Sequence, residues 1–158
     1  MKIGIFDSGV GGLGVLNEIK KKIDFADIIY YGDSSHSPYT NKTDDEIKNY
    51  CLKIGEFLID NRVDIIVIAC EPATRAALIS LKERFTSVPI IGFSNKAEVA
   101  NQTFIELKKA MLKKGLKKNK KLGKVEYFIT GDIERFKELG EEIIGEKIED
   151  IYQTIGSD

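Results

Sequence analysis

Short runs rich in β-branched residues alternate with amphipathic stretches along the chain, and this alternation limits the folds available to it. Strands are predicted at residues 2–6, 27–31, 63–69, 88–92 and 125–130, with an edge strand at 148–154. Helices are predicted at residues 13–22, 43–61, 72–85, 95–114 and 133–144. Strands separated by helices pair in parallel through right-handed crossovers. The sequence therefore predicts an α/β fold, a three-layer, flavodoxin-like, doubly wound and mainly parallel sheet in a single lobe.

The 158 residues suit one domain, and we expect residues 1–158 to form a single α/β domain. The formal net charge of −1 gives no general attraction to nucleic acid or to an anionic membrane. The apolar runs are too short to cross a bilayer, and the N-terminus lacks the pattern of a signal peptide. We therefore expect a cytoplasmic protein without a nucleic-acid or membrane partner, whose two cysteines are reduced.

Polar and potentially reactive residues follow the carboxyl ends of the predicted strands. In a sheet of order 2-1-3-4-5, ligands bind where the strand order reverses, between the first and third strands. Asp7 and Ser8 follow the first strand, whereas Cys70 and Glu71 follow the third. The loop after the second strand, which starts at Asp33, forms the rim. The pattern predicts a carboxylate, a hydroxyl and a thiol around one crevice.

The first loop also matches the dinucleotide fingerprint G-x-G-x-x-G through Gly9, Gly11 and Gly14. Asp33 lies where an acid that binds a ribose hydroxyl is expected. Asp7 argues against this interpretation, because a carboxylate in front of the glycines would repel a pyrophosphate. Nucleotide or phosphate binding is thus the weaker alternative, and we expect the turn to bring a small ligand close to backbone amides at the helix start.

Each candidate side chain also has a structural interpretation. Asp7 or Ser8 could cap the first helix, and Cys70 could be a structural thiol rather than a thiolate whose pKa is lowered by the helix amides. Cys51 lies on one helical face with apolar residues and is expected in the core. His36 has no evident acid partner and is expected at the rim or surface. No cluster of His and Cys residues has the spacing of metal ligands, so no metal site is predicted.

Three motifs resemble one enzyme family when they are taken together, in this order. IGIFDSGVGGLGVL, YYGDSSHSPYTNKT and DIIVIACEPAT resemble the opening motif, the tyrosine loop and the first cysteine motif of glutamate racemases, in the cofactor-independent aspartate/glutamate racemase superfamily. The resemblance is strong over residues 2–92 and weaker over 95–154. It implies that residues 1–93 correspond to the N-terminal part of the family's first lobe, and 94–155 to the segment that returns to it.

The resemblance implies a two-base racemisation that interconverts L- and D-glutamate for peptidoglycan synthesis without a cofactor. One cysteine thiolate removes the α-proton, and a second cysteine on the opposite face returns a proton. Carried onto this sequence, Cys70 is one acid/base and Asp7 its partner in proton handling. The positions implied to contact substrate are Ser8, Pro38, Tyr39, Thr40, Glu71 and Pro72.

The departures from the family bear on activity. No cysteine follows Cys70, and a whole lobe is expected to be missing between residues 93 and 94. Glu71, Pro72 and Thr40 replace the family's usual asparagine, threonine and glycine, and Glu71 should raise the pKa of Cys70 and repel a substrate carboxylate. We therefore expect an inactive or strongly impaired racemase-like domain. The alternatives are a homodimer that faces two Cys70 thiols across one cleft, and a non-catalytic lobe-deleted scaffold, natural or engineered.

Overall fold

The structure, a computed structural model, describes residues 1–118 and 120–155. The strands within these ranges are β1 (Lys2–Asp7), β2 (Asp27–Asp33), β3 (Ile65–Ile68), β4 (Ile90–Ile91), β5 (Val125–Thr130) and β6 (Ile151–Gln153). The helices are α1 (Leu13–Lys22), α2 (Asp44–Asp60), α3 (Glu71–Arg84), α4 (Lys96–Lys113) and α5 (Ile133–Ile144). Two 3₁₀ turns, Ser34–His36 and Tyr39–Asn41, follow β2. Every predicted helix and strand is confirmed, although β3, β4 and β6 are shorter than expected.

All the described strands are parallel and form one sheet in the order β4-β3-β1-β2-β5-β6. The expected neighbours of β1 and β3 are confirmed. The expected place of β5 beside β4 is wrong, because β5 pairs with β2 across the sheet, with Tyr30 opposite Tyr127. The chain reaches that side through α4 and the segment after it, where the Gly123 amide donates to the Asp24 carbonyl at 2.8 Å.

The helices cover both faces of the sheet, which makes the three layers. On one face α1 packs against α4 and α5, and on the other α2 packs against α3. Strand β1 serves both cores in alternation: Ile3 and Ile5 join the α1 side, whereas Phe6 joins the α2 side. Every residue of β3 is fully buried, as its continuous apolar run predicts. The carboxyl ends of the strands therefore open at one edge, between the two helical layers.

Local signals fix the ends of the helices as the sequence predicts. At the start of α2, Thr43 Oγ1 accepts the Glu46 amide at 3.1 Å while Glu46 Oε2 accepts the Thr43 amide at 2.8 Å, a complete capping box. Helix α5 ends at Gly145, whose φ of 72° is left-handed. Within the residues described, none of the helices is both long and apolar enough to span a membrane.

Candidate active site at the carboxyl edge

Asp7 lies at the end of β1 and anchors the turn that leads into α1. Its side chain is buried, and Oδ2 accepts the Gly12 amide at 2.7 Å. Gly12 has no room for a side chain, because a Cβ there would lie 2.6 Å from the Asp7 Cβ and 2.8 Å from the Ala69 Cβ. The close packing of this glycine, rather than the fingerprint spacing, brings the start of α1 against the carboxylate.

The amides at the start of α1 already have acceptors. The Leu13, Gly14 and Val15 amides donate to carbonyls three residues earlier, and the Leu16 amide donates to the Gly12 carbonyl. Together with the bond between Gly12 and Asp7, these contacts give each amide from residue 12 to residue 16 an acceptor, so these amides are not free for a pyrophosphate. The expectation of bare amides at the helix start is therefore wrong, and the geometry disfavours the dinucleotide alternative.

Cys70 ends the β3 segment and is the N-cap residue of α3. The backbone amides of Ala73 and Ser8 hydrogen-bond to its sulfur, and these contacts alone would lower its pKa. Burial is the largest opposing effect and the charge of Asp7 the next, and together they raise the pKa of the Cys70 thiol to about 12. A pKa of this height makes Cys70 a protonated thiol at neutral pH rather than the thiolate that the helix amides alone would favour, and burial and Asp7 are the main causes.

Asp33 lies at the end of β2 and is only 2% exposed. Three side chains contact its carboxylate. Tyr39 donates its hydroxyl proton to Oδ2 at 2.6 Å, and Thr130 donates to Oδ1 at 2.9 Å. His36 Nδ1 lies 3.0 Å from Oδ1, and its ring stacks on Tyr50 with 3.8 Å between ring centroids. The expectation that His36 lacks an acid partner is wrong. The Asp33 contacts fasten the loop after β2 to the end of β5.

The remaining candidate substrate contacts differ in accessibility. Pro38, Thr40 and Glu71 are exposed, and Ser8 and Pro72 are half-buried. Tyr39 is 1% exposed and its hydroxyl is held by Asp33, so in this conformation it is a core residue. Its role in binding substrate stays a prediction, as do those of the other five.

The structure brings Asp7, Ser8 and Cys70 together at the reversal between β1 and β3, as the strand order predicts. Cys51 is fully buried in the α2 core, which confirms its structural role. The sequence did not identify Asp33 and Thr130 as hydrogen-bond partners. Each is a polar residue at the end of a strand, but this signal is informative only once β2 is known to pair with β5. Among the described residues, no group of three or more His, Cys, Asp or Glu side chains is arranged to hold a metal ion.

Comparisons with known proteins relate the chain to glutamate racemases. It is 46% identical to the glutamate racemase of Clostridium novyi (strain NT) over 109 residues, which are 69% of this chain and 40% of that protein. The match thus spans less than half of the relative's length. No family model matches the chain.

Solved structures support the same relationship. A glutamate racemase from Thermus thermophilus in complex with β-chloro-D-alanine shares the fold, with a TM-score of 0.81 at 22% identity over 98% of this chain and 96% of that one. The glutamate racemase of Aquifex pyrophilus is 35% identical with a TM-score of 0.56, and the match covers 98% of this chain and 55% of the other.

Proposed function

We propose that the crevice beyond β1 and β3 binds glutamate and holds one half of a two-base racemase site. The premise is that the chain is a glutamate racemase-like domain, as its relatives indicate. In this proposal Cys70 is one acid/base and Asp7 handles protons beside it. The domain alone is a strongly impaired racemase, because nothing in it supplies the second thiol. We propose the same biological setting as for the family, the supply of D-glutamate for peptidoglycan.

The observation that carries the proposal is that the Cys70 thiol contacts both the Asp7 carboxylate and two backbone amides. Racemisation needs a sulfur that exchanges one proton with the α-carbon of glutamate, which is a very weak acid. The Ser8 and Ala73 amides stabilise the thiolate form, and the Asp7 carboxylate is placed to accept the thiol proton. With its pKa raised to about 12, Cys70 rests in the proton-donating form.

The surroundings of Cys70 explain why the domain should bind glutamate weakly. Glu71 follows Cys70 in the chain and is exposed, and its charge would oppose a substrate carboxylate. Pro72 lacks an amide proton that another residue would offer at the start of α3. We propose that Ser8, Pro38, Tyr39, Thr40, Glu71 and Pro72 line the substrate side. Residues 1–93 and 94–155 would correspond to the two stretches of the family's first lobe.

A second copy of the chain is the arrangement that could complete the site. A two-fold homodimer would place two Cys70 thiols on opposite faces of one substrate. In a dimeric enzyme the rate of D-glutamate formation would rise faster than linearly with protein concentration. In an impaired single domain it would rise linearly.

The test is the formation of D-glutamate from L-glutamate, followed by chiral chromatography over a range of protein concentrations. Loss of one acid/base group typically costs about 10²–10⁴-fold in rate. We expect the domain to fall below a two-lobed glutamate racemase by at least that factor, with Cys70→Ser as the background control. Turnover equal to that of the two-lobed enzyme would overturn the proposal.

A further inference from the structure

The unexpected position of β5 creates a second crevice at the carboxyl edge. Strand β2 lies between β1 and β5. The helices that follow β1 and β5 pack on one face of the sheet, whereas α2, which follows β2, packs on the other. Ligands in open α/β sheets bind where the connections leave neighbouring strands in opposite directions. The ends of β1, β2 and β5 meet this condition, just as the ends of β1 and β3 do.

A cavity of about 370 Å³ occupies this second crevice. Its polar lining comes from three loops: Gly9 from the loop after β1, Ser34 and Ser37 from the loop after β2, and Asp132 and Arg135 from the start of α5. The loops are tied together, since Tyr30 donates its hydroxyl proton to the Gly9 carbonyl at 2.9 Å and the Ser35 amide donates to Thr130 Oγ1 at 3.0 Å. The volume lies at the lower end of the range for small-molecule sites.

The cavity holds one cationic and one anionic side chain. Asp132 Oδ1 accepts the Arg135 amide at 3.2 Å, which leaves the other carboxylate oxygen for a ligand. Within the part of the chain that the structure describes, the Arg135 guanidinium makes no ion pair. Residues three apart on a helix lie on the same side, so both charges line the same cavity. A ligand that carries both an ammonium and a carboxylate would match them.

The remaining wall is apolar. Val10, Phe136 and Leu139 line it, with Phe136 buried and Leu139 38% exposed. An aliphatic group placed here would cover apolar surface that water now contacts. Ser34 and Ser37 line the polar side of the cavity, and Ser37 Oγ lies beside Gly9. Charges of both signs, hydroxyls and an apolar wall together describe a receptor for a small zwitterion with an aliphatic side chain.

We propose that this second crevice binds a small aliphatic α-amino acid as its zwitterion, with the carboxylate on Arg135 and the ammonium on Asp132. The site is separate from the Cys70 crevice and does not depend on the proposed racemase function. The two crevices share the loop after β1, since the Ser8 amide faces the Cys70 sulfur while Gly9 lines the second cavity.

The test is a titration of the ¹⁵N-labelled protein followed through its backbone amide signals. L-Valine is compared with isovalerate, which lacks the ammonium group, and with isobutylamine, which lacks the carboxylate. We expect saturable shifts at Gly9, Ser37 and Arg135 with L-valine. Because each lost charge-assisted contact is worth about tenfold or more in affinity, both analogues should bind at least that much more weakly.

Two variants remove one charge each and leave the helix intact. Arg135→Gln keeps a good helix former, and Asp132→Asn keeps a good N-cap, so both should fold and bind L-valine about tenfold or more weakly. Lys137→Gln is the matched control, since Lys137 is a cation of the same helix that lines a different cavity. Equal affinity for the three probes, shifts centred on Ser8 and Cys70, or no saturable shift would each overturn the proposal.

Discussion

The carboxylate of Asp7 accepts the Gly12 amide at 2.7 Å and at the same time raises the pKa of the neighbouring Cys70 thiol. One buried acid thus holds the turn into α1 and adds to burial, the larger effect, in keeping the candidate acid/base protonated. The structural interpretation of Asp7 is thus supported, since its carboxylate holds the N-cap residue of α1, while its part in proton handling stays a prediction. The same contact occupies an amide at the end of the glycine loop that would otherwise be available to a phosphate.

Alkylation of Cys70 should be slow at neutral pH. Since the pKa of the thiol is raised to about 12, the rate with iodoacetamide should climb about tenfold per pH unit from pH 8 to 11. Asp7→Asn removes the charge but keeps a carbonyl for the Gly12 amide, so it should speed labelling at pH 8. Asp60→Asn, an exposed change on α2, is the control. Rapid labelling of the unmodified protein at pH 7 would contradict the assigned protonation state.

Replacement of Gly12 by alanine should destabilise the fold by about 1–3 kcal/mol, because its Cβ would collide with Asp7 and Ala69. Gly11→Ala is the matched control, since a Cβ there would lie 3.6 Å from Asp7 Oδ2, an ordinary contact. The control should change the free energy of unfolding by no more than about 0.5 kcal/mol. Urea unfolding compares the two, and equal losses would mean that Gly12 is not held by close packing.

The Asp33 contacts should contribute measurably to stability. Tyr39→Phe takes one donor from a buried carboxylate and should cost about 1–3 kcal/mol in the free energy of unfolding. Tyr152→Phe, on the edge strand β6 with 47% of the residue exposed, should cost about 0.5 kcal/mol or less. A Tyr39→Phe protein as stable as the unmodified one in urea would show that the buried bond contributes nothing.

Stability should fall in alkaline solution. Burial raises the pKa of Cys70 and of Tyr31 to about 12 each, so both groups hold their protons more tightly in the folded state. Their contribution is complete below the ordinary pKa values of the unfolded chain and is lost as pH rises toward 12. The melting temperature should therefore decrease between pH 9 and pH 11, and less steeply in a Cys70→Ser protein. A constant melting temperature over that interval would contradict the stated burial effects.

The order of helices and strands was predictable from the sequence because each element carries its own local signal. The β-branched run of β3, the Thr43–Glu46 capping box and the glycine at 145 act over a few residues, and all are confirmed. The place of β5 was not predictable in this way. It depends on how α4 and the segment after it carry the chain across the sheet, which no local pattern encodes.

The candidate site was predictable to the same extent. Asp7, Ser8 and Cys70 follow strands whose neighbourhood was correctly inferred, so their proximity could be expected. The contact between Thr130 and Asp33 joins residues 97 apart and follows from the unexpected pairing of β2 with β5. For the pKa of Cys70 the sequence offered opposed influences, the helix amides that lower it and the charge of Glu71 that raises it, whereas the burial and the contact with Asp7 that raise it most are not evident in sequence.

The most direct measurement of the central claim is the exchange of the α-proton of L-glutamate in D₂O, followed by ¹H NMR at high protein concentration. A single lobe with a protonated Cys70 and no opposing thiol should lose the α-proton signal at least about 10²-fold more slowly than a two-lobed glutamate racemase, with Cys70→Ser as the background control. Loss of that signal as fast as in the two-lobed enzyme, but not in the Cys70→Ser protein, would contradict the account of an impaired half-site.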